Sequence, residues 1–162
     1  MKKSYIYIAL IILVLVGLDQ LTKYLIVQNL ALGERIEVIP NFFTITSHRN
    51  DGAAWGILDG NMIFFYAITV FAGGLFYFLL KDVDLNTQKL YVAGIILMIA
   101  GGIGNFIDRL LFQQVVDFID IDLWSYTTFP IFNIADICLV VGMIIFALDV
   151  VIEEVVKWKQ SS

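Results

Sequence analysis

The chain has 162 residues, of which 60% are hydrophobic and only 15% charged, and its mean hydropathy is +0.87. A soluble domain of this length does not carry so much apolar surface, so the composition excludes a water-soluble protein and indicates one membrane domain over residues 1–162. The net charge of −5 argues against nucleic-acid binding, and the single cysteine, Cys138, excludes an internal disulfide.

Four segments are long and apolar enough to cross the hydrocarbon core of a bilayer, which takes about 20 residues per helix. We therefore predict an all-α membrane protein with four transmembrane helices. The predicted spans are about Tyr5–Val27, Asn61–Leu80, Lys89–Ile107 and Phe129–Ile152. The first span would also suit a signal peptide, but it is longer than a usual signal core and no small-residue cleavage site follows it.

The basic residues orient these spans. Six of the ten fall on one side if the four helices alternate in direction: Lys2, Lys3, Lys81, Lys89, Lys157 and Lys159. The positive-inside rule then predicts that both termini are cytoplasmic. In that orientation the polar residues of the first, third and fourth spans meet in the outer half of the membrane.

The stretch after the first span, residues 33–60, is too polar to cross the membrane. Arg35–Ile39 alternates between polar and apolar residues, Pro40 and Asn41 suit a turn, and Phe42–Thr46 is rich in aromatic and β-branched residues. This pattern predicts a small extracytoplasmic β element, which we call the β cradle. Ala53–Leu58 is predicted to form a short interfacial helix that carries Trp55.

The second outer segment, Leu110–Thr128, is predicted to be a loop. Trp124 and Tyr126 are suitable interfacial anchors within it. Four acids lie between residues 108 and 122, and oxygen ligands of this kind can hold a hard cation. The acids are Asp108, Asp117, Asp120 and Asp122.

Nucleophilic and zinc chemistry have little support. His48 is the only histidine, and its neighbour Ser47 would point to the opposite face of a strand, so the two cannot pair as nucleophile and base. We interpret His48 as a surface or interfacial side chain. One histidine and one cysteine are too few for a zinc site, and oxygen ligands alone are a weak signal for another metal, so no metal or other cofactor is expected.

Two aspartates remain beside long apolar stretches, where an ionisable group is costly and indicates function. They are Asp117 in Val115–Phe118 and Asp136 in the first turns of the fourth span. Two close carboxylates tend to share one proton, so that one acts as acid and the other as base toward water. The residues alone leave two interpretations open, because ion-coupled transporters also keep acids within the membrane.

Other polar residues are spaced for support. Asp19 and Lys23 are four residues apart on one helix face and are predicted to form an ion pair. Asn105 and Arg109 share that spacing, and an arginine near two carboxylates could orient them or hold a lipid phosphate. Four glycines of the third span predict close helix packing: Gly94, Gly101, Gly102 and Gly104.

Five motifs, in order along nearly the whole chain, resemble the bacterial lipoprotein signal peptidase family, also called signal peptidase II. The motifs are Asp19–Lys23, Arg49–Trp55, Gly104–Arg109, Val115–Phe118 and Phe132–Asp136. The resemblance implies an intramembrane aspartic endopeptidase of the bacterial cytoplasmic membrane that needs no metal. It would cut prolipoproteins just before the cysteine that carries diacylglycerol, with its active site on the extracytoplasmic side.

The same resemblance implies roles for individual residues. The family's catalytic aspartates fall on Asp117 and Asp136. Its supporting or substrate-binding residues fall on Asp19, Lys23, Asn50, Gly52, Asn105, Asp108, Arg109 and Asn133. Membrane lipids and the inhibitory cyclic peptide globomycin are implied partners. One departure is Ile137, which stands where the family often has a small hydroxyl residue.

Two other functions remain as alternatives. A small ion- or proton-coupled transporter would need a polar path through the bilayer, yet the inner halves of these spans are almost wholly apolar. A non-catalytic lipid-binding protein or chaperone would not require both aspartates.

Overall fold

The computed structural model describes residues 2–52, 60–81, 83, 87–122 and 129–161. Within these residues the chain forms four helices: α1 (Lys2–Asn29), α2 (Met62–Leu80), α3 (Lys89–Phe112) and α4 (Ile134–Ser161). All four are long and apolar enough to cross a membrane. The predicted four-span fold is therefore confirmed.

The helix ends differ from the predicted spans, most clearly in α3 and in α4, which continues to Ser161 instead of ending at Ile152. Helix α3 continues to Phe112 instead of ending at Ile107, and it ends where Gln113 adopts a left-handed conformation with φ of 56°. Helix α4 begins at Ile134 rather than at Phe129. The cause is Phe132, whose N–H and carbonyl both pair with Ile119 at 3.0 and 2.8 Å, so that its backbone joins the sheet and not the helix.

The closest helix packing is between α3 and α4. A Cβ on Gly94 would lie 2.8 Å from the carbonyl oxygen of Gly142, and one on Gly101 would lie 2.3 Å from that of Ala135. Any larger residue at either position would push the helices apart, so the predicted role of these glycines is confirmed. Gly102 is different, because a Cβ there would meet nothing within 4 Å.

Three antiparallel strands form one sheet in the order β1–β2–β3. The strands are β1 (Arg35–Ile39), β2 (Phe43–Asn50) and β3 (Val115–Ile121). The predicted hairpin is thus observed, and Asn41 makes the positive-φ turn, with φ of 55°. The predicted interfacial helix with Trp55, and the anchors Trp124 and Tyr126, lie outside the described residues.

The third strand lies in a segment that was predicted to be a loop, and that prediction was wrong. Residues 115–118 are all buried, so the start of β3 has no exposed face. A strand covered on both faces shows no alternation of polar and apolar residues, which is the signal that marks a strand in a sequence. The pairing of β3 with β2 carries Asp117 to the ends of the membrane helices.

Candidate active site

Asp117 lies on β3 and is only 1% exposed. Its two carboxylate oxygens accept hydrogen bonds from two asparagine amides. Asn50, at the end of β2, donates to Oδ2 at 2.9 Å, and Asn133 donates to Oδ1 at 2.7 Å. The antiparallel register pairs Asn50 with Val115, two residues before Asp117, so both side chains lie on the same face of the sheet.

Asp136 lies in the first turn of α4. Its Oδ1 accepts a hydrogen bond of 2.7 Å from the amide of Asn105 on α3. Its Oδ2 accepts the N–H of Asn133 at 3.1 Å, while the N–H of Asp136 donates to Oδ1 of Asn133 at 2.9 Å. This reciprocal pair is a capping box, so the start of the helix itself fixes the carboxylate.

Asn133 connects the two aspartates, and it is completely buried. The same amide nitrogen that donates to Asp117 also donates to Oδ1 of Asn105 at 3.1 Å. The two carboxylates are therefore connected by one hydrogen-bond network of three asparagines. Burial first, and then the nearby charge of Asp136, raises the pKa of Asp117 to about 7.

A buried cluster of charged side chains lies next to the two aspartates. The Lys23 ammonium is 2.9 Å from a carboxylate oxygen of Asp19 and 2.9 Å from one of Asp108. The three side chains are at most 3% exposed. The ion pair predicted between Asp19 and Lys23 is thus present, and Asp108 of α3 extends it into a triad.

Gln20 was not among the predicted site residues, although it stands within the first motif. Its amide nitrogen lies 2.9 Å from Oδ1 of Asp108 and 3.1 Å from the carbonyl oxygen of Gly104, so it links α1 to α3. Its position next to Asp19, in the short polar stretch of an otherwise apolar helix, was the available signal in the sequence.

Arg109, near the end of α3, joins the segment that follows β2 to the helices. Its guanidinium donates to the carbonyl oxygen of Gly52 at 3.0 Å and lies 4.2 Å from the ring centre of Phe65 on α2. The Gly52 N–H in turn donates to Oδ1 of Asn50 at 3.0 Å, which orients the amide that contacts Asp117.

The remaining polar residues of the sequence prediction lie elsewhere. Asp120 pairs with Arg35 on the sheet surface, while Asp108 contacts Lys23, so the acids considered as a cation site do not converge. No cluster of three or more potential metal ligands occurs among the described residues. His48 is exposed and Ser47 is fully buried, in agreement with their predicted opposite orientations.

A cavity of about 1250 Å³ opens at the two aspartates. Most of its wall is apolar and comes from α2, α3 and α4, and the wall continues to Leu80 at the far end of α2. Ile137, the residue that departs from the family pattern, forms part of the wall beside Asp136. The site therefore combines a buried carboxylate, Asp117, and a half-buried one, Asp136, with a long apolar groove between membrane helices.

Comparisons with known proteins agree with this arrangement. The family model described as signal peptidase (SPase) II matches residues 11–152. The lipoprotein signal peptidase of Listeria monocytogenes serotype 4a (strain HCC23) is 45% identical over 148 residues, which cover 91% of this chain and 95% of the relative. That of Staphylococcus aureus (strain Newman) is 48% identical over 149 residues, covering 91% and 90%.

Solved structures give the same result. A bacterial membrane enzyme determined by the in meso method at 2.3 Å resolution has a TM-score of 0.82 and 46% identity, over 91% of this chain and 89% of that one. A second, at 1.9 Å, has a TM-score of 0.77 and 48% identity, over 89% and 92%. The chain belongs to the signal peptidase II family.

Proposed function

We propose that Asp117 and Asp136 are the catalytic pair with which this member of the signal peptidase II family removes signal peptides from prolipoproteins. The family consists of aspartic peptidases, and membership favours this function over the transporter. The observation that carries the assignment is that a buried carboxylate, Asp117, and a half-buried one, Asp136, are bound to the same Asn133 and open to one cavity.

The geometry suits hydrolysis by water. A pair that shares one proton has a carboxylate to take a proton from water and a carboxylic acid to give one to the carbonyl oxygen of the scissile peptide. The oxygen of water bonds to the carbonyl carbon. The C–N bond then breaks as the departing nitrogen takes a proton from the carboxyl that deprotonated water, while one hydroxyl of the tetrahedral intermediate returns its proton to the other carboxylate and the C=O bond re-forms. Asn50, Asn105 and Asn133 hold the carboxylates in place through this sequence.

The cavity supports a substrate that is part lipid and part peptide. Its apolar wall extends along the length of α2, so it offers room for the apolar core of a signal peptide and for acyl chains. We therefore propose that the substrate carries a diacylglyceryl-modified cysteine, and that cleavage occurs just before that cysteine. Membrane lipids and the cyclic peptide globomycin are proposed to enter the same cavity, with globomycin at the carboxylate pair.

We also propose that the protein lies in the bacterial cytoplasmic membrane with both termini inside. The distribution of lysines supports this orientation. The carboxylate pair then lies at the outer leaflet, roofed by the β cradle. A cysteine-labelling experiment on single-cysteine variants in sealed vesicles would test the orientation.

The test of the catalytic assignment is cleavage of a lipid-modified prolipoprotein peptide by the purified protein. We expect Asp117→Asn and Asp136→Asn each to lower turnover by about 10²–10⁴-fold or more, because neither carboxyl alone can act as both acid and base. Asp120→Asn is the matched control: it lies on the same strand but pairs with Arg35 at the surface, and it should cleave normally. Near-normal turnover in either dyad variant, folded in the membrane, would remove the assignment.

A further inference from the structure

We propose that Lys23 is a positioning residue that sets the spacing of Asp117 and Asp136, because it ties together the two carboxylates that hold the backbone just before each of them. The inference rests on the catalytic assignment above. It assigns Lys23 no contact with substrate and no proton transfer.

Asp19 on α1 is the first of the two carboxylates that Lys23 ties together. Oδ1 of Asp19 accepts the backbone N–H of Ala135 at 2.9 Å. Ala135 immediately precedes Asp136, and its N–H belongs to the first turn of α4, which has no partner within the helix. Asp19 therefore holds the start of α4 at a fixed place against α1.

Asp108 on α3 is the second of these carboxylates, and it makes an equivalent contact. Oδ2 of Asp108 accepts the backbone N–H of Val116 at 3.1 Å. Val116 immediately precedes Asp117 on β3. Asp108 therefore holds the strand at a fixed place against α3, in the way that Asp19 holds the helix.

Lys23 contacts both of these carboxylates. An ammonium group has three N–H donors, and three acceptors surround this one: Asp19 and Asp108 at 2.9 Å each, and Oδ1 of Asn105 at 3.1 Å. Asn105 itself donates to Asp136. With all its donors engaged in this way, Lys23 has no hydrogen bond left for Asp117 or Asp136 and positions them only through its neighbours, although its charge also lowers the pKa of Asp117.

The close packing of Asp19 against α3 supports the role of the cluster in positioning the two aspartates. A Cβ on Gly104 would lie 2.6 Å from Oδ2 of Asp19, the oxygen that contacts Lys23, so glycine is what lets Asp19 lie against α3. A buried ion cluster is weak evidence for stability, because desolvation offsets much of the attraction between the charges. Its directional hydrogen bonds to the residues before both aspartates are better explained by the need for fixed geometry.

The test compares turnover, KM and pH dependence in Lys23 variants with the same lipidated peptide. The first variant is Lys23→Met. The second is the neutral triple variant Asp19→Asn/Lys23→Met/Asp108→Asn, in which each asparagine oxygen can still accept its backbone N–H and no charge is left buried. Thr22→Val is the matched control, since the Thr22 hydroxyl bonds only to its own helix, at Leu18 and Asp19.

We expect kcat per folded molecule to fall about 10²-fold in both Lys23 variants, with KM nearly unchanged, because a displacement of about 1 Å costs that much in rate. The pH–rate profile should change as well, since the charge that lowers the pKa of Asp117 is lost and a new spacing changes the coupling between the carboxyls, so the fall in kcat at unchanged KM is the readout that reports the spacing. A mere loss of folded enzyme would lower the plateau of that profile without moving its limbs.

Normal kcat with an unchanged pH profile in the neutral variant would overturn the proposal while leaving the catalytic assignment intact. Failure of the neutral variant to fold would also overturn it, since the cluster would then maintain the fold instead of the spacing. Activity in Asp117→Asn would instead remove the catalytic assignment. The two proposals therefore fail on different measurements.

Discussion

Asn133 and Asp136 exchange two hydrogen bonds across the start of α4, from the N–H of Asn133 to Oδ2 of Asp136 at 3.1 Å and from the N–H of Asp136 to Oδ1 of Asn133 at 2.9 Å. Asn133 thus has two separable functions. Its oxygen caps the helix, and its amide nitrogen donates to Asp117.

Two substitutions at Asn133 should separate these functions. Asn133→Ser keeps an oxygen that can cap the helix, so we expect it to unfold at nearly the normal temperature. Asn133→Ala removes the cap and should cost about 1 kcal/mol of stability. Both remove the amide donor, and both should lower kcat/KM. Thermal unfolding and cleavage would be measured on the same preparations; normal cleavage by Asn133→Ser would show that the amide bond to Asp117 is dispensable.

The pH dependence of cleavage should show an alkaline limb near pH 7. Burial and the charge of Asp136 raise the pKa of Asp117 from 3.8 to about 7. The proposed mechanism needs the proton that the pair shares, so kcat/KM should fall as the pH rises through 7. In Asn50→Ala the limb should move to higher pH, because the hydrogen bond from Asn50 lowers the pKa of Asp117 and would be lost.

The sign of the linked stability effect follows from the same shift. The folded protein binds the Asp117 proton more tightly than the unfolded chain does, so this carboxyl contributes most to stability below about pH 4 and loses that contribution as the pH rises through 7.

A kcat/KM that stays level from pH 6 to 9 in the unmodified protein would contradict the assignment of the shared proton.

The sequence predicted the membrane spans and the polar side of the bundle because both depend on local patterns. Runs of apolar residues mark α1 to α4, and the motifs place Asp19 and Asn105 in the later halves of α1 and α3 and Asp136 at the start of α4. It could not show that Asp108 contacts the N–H of Val116, or that Phe132 joins the sheet, since these contacts involve backbone groups brought together by tertiary folding. Strand β3 was missed for a related reason, since burial on both faces removes its alternation.

Arg109 should matter more than Arg35, although both are arginines on the same side of the helix bundle as the sheet. Arg109 holds the Gly52 carbonyl and lies on the Phe65 ring, whereas the Arg35 side chain is 59% exposed and pairs with Asp120 at the surface. We expect Arg109→Ala to lower both kcat/KM and thermal stability clearly. Arg35→Ala should change stability by less than about 1 kcal/mol, as surface ion pairs contribute little. Equal losses in the two variants would refute this distinction.

Gly102 should control access to the cavity. It lies in the cavity wall, and a Cβ there would meet nothing within 4 Å, so a leucine would fit the fold but occupy space that substrate needs. Gly102→Leu should therefore raise KM for the lipidated peptide without lowering the unfolding temperature. Gly17→Leu is the matched control, because Gly17 also faces open space but lies on the exposed side of α1. The same KM in both variants would count against the cavity as the substrate site.

The last prediction concerns the lipid on the substrate. A peptide whose cysteine lacks diacylglycerol should be cut far less efficiently than the lipidated peptide. Each buried CH₂ of an acyl chain contributes about 0.8 kcal/mol, so two chains in the apolar cavity would hold the scissile bond beside Asp117 and Asp136. A free peptide would also have to bring unpaired backbone groups to membrane depth, at a cost of several kcal/mol each.

The two peptides should be compared in one detergent and again in one bilayer, so that partitioning into the membrane is separated from recognition by the enzyme. If the lipid acts only by concentrating the peptide in the bilayer, the difference in kcat/KM would shrink once rates are referred to the membrane-bound concentration. If the cavity binds the acyl chains, the difference should persist, and Gly102→Leu should reduce it. Comparable kcat/KM for the two peptides in detergent would show that the lipid is not recognised, and the apolar cavity would then need another occupant.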